Sequence, residues 1–310
     1  MLEAVPPSGT AIAAAKPQPE TLKMMRVLFA LLLSLTAVTA AHAGAPKKLW
    51  ELKGLDAPES VVFDPASSAL YVSNIGGKIW QKDDNGFIAK VSPDGKMIER
   101  QWLTGLSSPT GLALDGGKLY VADIDQLVEI DIASKSVTKR YPAPGAKWFN
   151  DVASDGKGAI YVADSATNSI WRLKDGKFEA WLTDEALNAP NGLYVEDDTL
   201  LVAPFGAMAE KGKDAKLATL LKVSLSDKSI KKLGTGLAFG NLDGVKPIEP
   251  GVYLVTDWVS GPLYRVDAQG NVVRLLDLHQ GTGDLTFLPE TKTILIPLML
   301  ENALAAYKLE

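Results

Sequence analysis

The sequence predicts an all-β fold, a six-bladed β-propeller with four strands per blade. Three observations carry this reading. One strand–turn–strand phrase recurs six times along the chain. The copies are spaced at blade length, and each holds room for four short strands. The sixth copy runs out after three strands, while a strand-like segment from Leu49 to Leu55 stands unpaired near the start. Pairing that segment with the last copy would close the ring and remove an exposed sheet edge.

The segment ahead of the repeats is different in character. Lys23 and Arg26 precede an apolar run from Val27 to Leu35, and small residues lead to Ala41-His42-Ala43-Gly44. A basic stretch, an apolar stretch and an A-x-A site make a secretory signal peptide. The apolar run is short for a membrane span. Residues 1–43 are therefore expected to be a leader, with Met24 or Met25 as a candidate true start. The mature chain, 44–310, would begin at Gly44, be periplasmic or secreted, and have no membrane association after cleavage. Its oligomeric state is left open.

Composition narrows the function classes. Hydrophobic residues make up 46% and charged residues 22%, a globular rather than a disordered balance. The net charge of −5 argues against a nucleic-acid partner and leaves a small molecule as the expected one. There are no cysteines, so thiolate chemistry and Cys-based zinc sites are excluded. Past the leader only His279 remains. Any metal must therefore be held largely by oxygen.

The cleanest repeat reads Ser108-Pro109-Thr110-Gly111-Leu112-Ala113-Leu114-Asp115, a Gly-Gly turn, then Lys118-Leu119-Tyr120-Val121-Ala122-Asp123. Leu127 to Ile132 and Ser136 to Tyr141 complete it. Aligned copies open at Pro58-Glu59-Ser60, Phe149-Asn150-Asp151, Pro190-Asn191-Gly192, Leu242-Asp243-Gly244 and Gly283-Asp284-Leu285. β-Branched and aromatic residues between Gly, Asp and Asn turns favour strands. From Glu59 through Thr110, Asn150, Asn191 and Asp243 to Asp284 the intervals are 51, 40, 41, 52 and 41 residues. Units one and four thus carry about ten extra residues, placed between their second and third strands at 74–85 and 204–216. In a propeller those loops overhang the same mouth as the loops leading into the first strands, and such loops often carry function. Asp123, Asp164 and Asp257 end second strands, where an aspartate bonds nearby backbone amides.

The residues at one register of the six innermost strands are Glu59, Thr110, Asn150, Asn191, Asp243 and Asp284. Radial symmetry brings all six to one end of the channel. Converging carboxylates repel unless a cation or protons compensate. Carboxylates with amide oxygens suit a hard cation, calcium more readily than magnesium. The alternative is a hydrated polar channel without metal.

These residues also carry a resemblance. Glu59, then Phe149-Asn150-Asp151, Pro190-Asn191-Gly192-Leu193 and Leu242-Asp243-Gly244 resemble, in order, the motifs of the senescence-marker-protein/gluconolactonase (regucalcin-like) family of six-bladed propellers. Diisopropyl-fluorophosphatases, paraoxonases and strictosidine synthases are more distant relatives of that family. The resemblance covers the whole mature chain. It implies that Glu59, Asn150, Asn191 and Asp243 bind one divalent metal, calcium, at an active site. Two positions depart from the family pattern. Ser60-Val61 follows Glu59 where family lactonases usually have Gly-Pro. Trp148 stands where sugar-lactone hydrolases often have an arginine that contacts substrate hydroxyls.

The expected function is metal-dependent hydrolysis of a lactone or related ester. Asp243 is the first candidate to activate water or attack directly, and Glu59 the second. Thr110, Trp148, Phe205, Trp258, His279 and Asp284 are candidate residues of the substrate mouth, although an aromatic taken alone is more often core or blade packing. His279 could act as acid or base near neutral pH. Other readings are a non-enzymatic binding propeller, a phosphotriesterase and a strictosidine-synthase-like enzyme.

Overall fold

A computed structural model describes residues 44–207 and 216–310 of the chain. The expected leader, 1–43, lies outside the described residues, as does the middle of the second long loop, 208–215. Residues Gly44–Glu310 form one compact unit. Among the described residues, six four-stranded antiparallel sheets make a six-bladed β-propeller.

Strand β1 (Lys47–Lys53) precedes the first blade. Blade one is β2 (Pro58–Asp64), β3 (Ala69–Asn74), β4 (Gly86–Val91) and β5 (Met97–Leu106). Blade two is β6 (Pro109–Asp115), β7 (Lys118–Asp123), β8 (Gln126–Asp131) and β9 (Ser136–Pro142). Blade three is β10 (Phe149–Ser154), β11 (Ile160–Asp164), β12 (Ser169–Lys174) and β13 (Lys177–Thr183). Blade four is β14 (Pro190–Glu196), β15 (Thr199–Pro204), β16 (Leu221–Ser224) and β17 (Ile230–Lys232). Blade five is β18 (Leu242–Glu249), β19 (Val252–Asp257), β20 (Pro262–Asp267) and β21 (Val272–Asp277). Blade six is β22 (Thr286–Leu288), β23 (Thr293–Leu298) and β24 (Ala303–Lys308), with β1 added antiparallel to β24.

The ring closes as the three-strand deficit requires. The closing strand starts and ends two residues earlier than the sequence suggested. Gly54, at φ 89°, turns the chain out of the strand. Leu55 then leaves the sheet and packs, buried, with Leu288, Leu295 and Leu304. Its N–H donates to the Asn302 carbonyl at 3.2 Å.

Alternation along each strand builds the core between blades rather than in one central mass. Leu70 and Val72 face blade six, packing with Leu295 and Leu304. Tyr71, between them, faces blade two, packing with Leu119 and Val121. Each blade is therefore apolar on both faces, and the blades hold one another in register around the channel.

Candidate metal and substrate site

The innermost strands share a local fault. Strand pairing is interrupted between Pro58 and Val61, Pro109 and Leu112, Phe149 and Val152, Pro190 and Gly192, and Leu242 and Val245. Glu59, Thr110, Asn150, Asn191 and Asp243 each lie inside one of these gaps. A bulge of this kind re-aims a side chain and ends regular pairing. In the sixth blade the strand begins only at Thr286, so Asp284 precedes it.

Small residues let the polar positions converge. A Cβ on Gly192 would overlap the carbonyl oxygen of Asp243 in the next blade. A Cβ on Gly283 would overlap the carbonyl oxygen of Glu59 across the ring closure, where the Asp284 N–H donates to that oxygen at 2.9 Å. The glycines of the P-N-G and G-D-L phrases thus serve close approach between inner strands.

One cavity of about 100 Å³ opens at this end of the channel. Glu59, Asn150, Asn191 and Asp243 line it together, with Thr110 beside them. Trp148, Phe205 and Trp258 line it as well. His279 and Asp284, the remaining two expected mouth residues, do not. His279 is exposed on the loop between β21 and β22, where only its carbonyl is engaged, accepting from Thr282 Oγ1 at 2.8 Å. Asp284 is fully buried and tied down at both oxygens, by Ser60 Oγ at 2.9 Å and Lys246 Nζ at 2.9 Å. Ser60 therefore has a partner in the channel wall.

Glu59, Asn150, Asn191 and Asp243 are almost completely buried. Asn191 Nδ2 donates to the Leu242 carbonyl at 3.3 Å and Asn150 Nδ2 to Ser165 Oγ at 3.4 Å. Thr110 Oγ1 donates to the Asn150 carbonyl at 2.7 Å. Three buried acceptors have no hydrogen-bond partner: Glu59 Oε2, Asn191 Oδ1 and Asp243 Oδ1. Burial pushes the Glu59 carboxyl well above the usual range, helped by the charges of Asp243 and Asp284. Burial does the same to Asp243, helped by Asp284 and Asp151. Among the described residues no group of three or more His, Cys, Asp or Glu side chains is disposed to hold a metal. Any cation here would rest on two carboxylates and two amides.

The sequence reading missed a charged layer in the wall. Asp151 accepts from the backbone N–H groups of Val152 and Leu193, each at 2.7 Å. Lys246 Nζ sits 4.0 Å from Asp151 Oδ2. Burial opposes the charge on Lys246, yet Asp284 and Asp151 outweigh it and hold its pKa above the ordinary value. Lys246 looks like an ordinary strand lysine in sequence, and nothing local marks its reach into the next blade.

Four apolar lining residues were missed too: Ile75, Ile79, Trp80 and Met299. All lie after second strands, on the loops that overhang the mouth. The extra length of the first of these loops was the available signal. Trp80 meets Trp148 edge-on, with ring centroids 4.1 Å apart. Trp148 is held from behind, its backbone N–H donating to Asp164 Oδ1 at 3.1 Å. Asp123 similarly accepts from the N–H of Ser108 at 2.8 Å, and Asp257 from that of Val259 at 2.9 Å. These aspartates have the structural role expected of them.

No protein-family model matches the chain, and no curated protein matches it. Solved structures do. A gluconolactonase from Xanthomonas campestris aligns at TM-score 0.63 and 16% identity, over 89% of this chain and 93% of that one. A catalytically inactive virginiamycin B lyase from Staphylococcus aureus, crystallised with quinupristin, aligns at 0.57 and 13%, over 85% and 99%. A streptogramin B lyase aligns at 0.56 and 13%, over 87% and 100%. The chain shares its fold with these enzymes. At such identities the likeness extends to architecture alone.

Proposed function

We propose that this protein is a divalent-cation-dependent hydrolase of a lactone or related ester, with calcium as the cation. One observation carries the proposal. Glu59 Oε2, Asn191 Oδ1 and Asp243 Oδ1 are buried acceptors without donors, on residues that line the same cavity. An unpaired buried acceptor is destabilising by about 1–3 kcal/mol, more when charged. Three at one site argue for a missing positive partner. Oxygen donors of mixed charge and loose geometry suit calcium. Glu59, Asn150, Asn191 and Asp243 would hold it.

When bound, the cation would supply positive charge beside the substrate carbonyl oxygen, where negative charge develops. Asp243 is the base. It takes a proton from water as the water oxygen bonds to the acyl carbon. The bond between acyl carbon and leaving oxygen then breaks, and Asp243 returns the proton to that oxygen. A lactone gives a hydroxy acid; an ester gives an acid and an alcohol. The Asp243 carboxylate oxygen is the group on the cavity floor that accepts the proton in this scheme. Trp80 and Trp148 line the mouth and meet edge-on. That the gluconolactonase and the lyases are propeller enzymes supports a catalytic use of the channel.

The test is a screen of lactones, aryl esters and phosphotriesters with calcium and with chelator. Chelator-reversible hydrolysis of a lactone or ester is expected. Asp243→Asn should lower its rate about 10²–10⁴-fold even at saturating calcium. Asn150→Ala should be partly rescued by excess calcium. No turnover of any ester would leave a binding propeller as the better reading, and full rescue of Asp243→Asn would reduce Asp243 to a ligand.

A further inference from the structure

We infer that the substrate is apolar around its reacting carbonyl, an alkyl- or aryl-substituted lactone or ester rather than a polyhydroxylated sugar lactone. This rests on the hydrolase reading above and names the substrate class for it.

The wall is poor in polar side chains above its floor. A sugar lactone brings several hydroxyls, and each needs a partner once buried. Among the described residues, the cavity lining contains no lysine, arginine, serine, tyrosine or histidine. Its one hydroxyl, Thr110 Oγ1, already donates to the Asn150 carbonyl. Each of the two lining amides spends one N–H inside the wall, Asn191 on Leu242 O and Asn150 on Ser165 Oγ. Trp258 Nε1 points at Met299 Sδ, 3.4 Å away. What faces the substrate above the polar floor is hydrocarbon and ring: Ile75, Ile79, Trp80, Trp148, Phe205 and Trp258.

That wall is also set in place. Trp148 is fixed by Asp164, and the Trp80 N–H donates to Ser108 Oγ at 3.2 Å. Phe205 and Trp258 lie 6.3 Å apart between centroids. The Phe205 carbonyl accepts from Asn241 Nδ2 at 2.7 Å, and the Trp258 N–H donates to the Asn241 carbonyl at 3.1 Å. One buried asparagine thus locks two loops of different blades. A fixed apolar wall gains from each methylene it covers, and it penalises each hydroxyl it strands.

The test separates recognition from turnover. Binding of unreactive cyclic ketones to the calcium-loaded protein is read by tryptophan fluorescence. The series runs from cyclopentanone to its 2-alkyl derivatives, with a polyhydroxylated ring as comparator. In parallel, kcat/KM is measured for the matching alkyl lactones and for a sugar lactone. Affinity and kcat/KM should each rise about fourfold per added methylene until the cavity is filled. Each stranded hydroxyl should lower them about ten- to a hundredfold. Trp148→Ala should flatten the alkyl dependence, and Trp80→Ala, at an exposed loop position, serves as the second variant should the first fail to fold. Equal or tighter binding of the polyhydroxylated ring, or an alkyl dependence unchanged in both variants, would overturn the inference. Alkyl ketones bound with no lactone hydrolysed would uphold the apolar site and overturn the hydrolase reading instead.

Discussion

Lys246 reaches from the inner strand of blade five to Asp284 of blade six, its Nζ 2.9 Å from Oδ1. The same ammonium lies 4.0 Å from Asp151 Oδ2 in blade three. One lysine therefore links three blades around the channel. It offsets only part of the local negative charge, because Glu59, Asp151, Asp243 and Asp284 all act on one another there. The remaining carboxylates are those of the cavity floor.

Removing that lysine should be costly to the fold. Breaking a buried ion pair from one side typically destabilises by about 3–5 kcal/mol, because a charge is left without compensation. For a chain of this size that corresponds to a fall in Tm on the order of 10 °C. Lys246→Met is expected to show it by calorimetry, and the pair Lys246→Met/Asp284→Asn should recover part of the loss. A single variant that melts with the parent would show that the contact contributes little.

Gly192→Ala tests the close approach of the inner strands. The added methyl would overlap the Asp243 carbonyl oxygen, which belongs to backbone and cannot swing aside. Overpacking of this kind usually destabilises by about 1–3 kcal/mol. The sharper readout is the stabilisation by calcium, which should shrink because blades four and five are forced apart at the site. Gly145→Ala, where no atom lies within 4 Å but φ is 96°, separates backbone strain from crowding and should leave the calcium effect intact.

The crowded carboxylates fix the direction of a pH effect. Burial, and then the charge of Asp284, pushes the Asp151 carboxyl up to about 7. Glu59 and Asp243 shift in the same direction. Their unfolded values lie near the ordinary ~4. The folded state therefore holds protons that the unfolded state releases, and its penalty is present above the folded pKa values. That penalty is relieved as pH falls through them. In chelator, Tm should rise as pH drops from about 8 to about 5.5. Calcium competes with those protons, so the calcium-induced gain in Tm should shrink over the same interval. A calcium effect that grows on acidification would contradict this linkage.

The repeat made most of the fold legible. Strand periodicity, turn residues and the short last copy located every blade, because each blade is a local unit with the same two-faced pattern. The polar ring was legible for the same reason, since the inner-strand register recurs and symmetry converts it into proximity. What broke the symmetry was not legible. Asp284 shares that register but is drawn into the wall by Lys246 and Ser60. His279 sits close in sequence to that position, yet its loop leaves the side chain in solvent. Trp80 lies in an insertion with no periodic pattern, at φ 63°, so nothing in the repeat brings it to Trp148.

The most direct measurement is a calorimetric titration of chelator-stripped protein with calcium, run beside Glu59→Gln and Asp243→Asn. One calcium per folded chain is expected in the parent. Each variant should bind more weakly, since each removes a negative charge from the ligand set while preserving size. The bound ion should also raise Tm. No calcium binding in the parent, or binding that both substitutions leave unchanged, would contradict a cation held on the cavity floor.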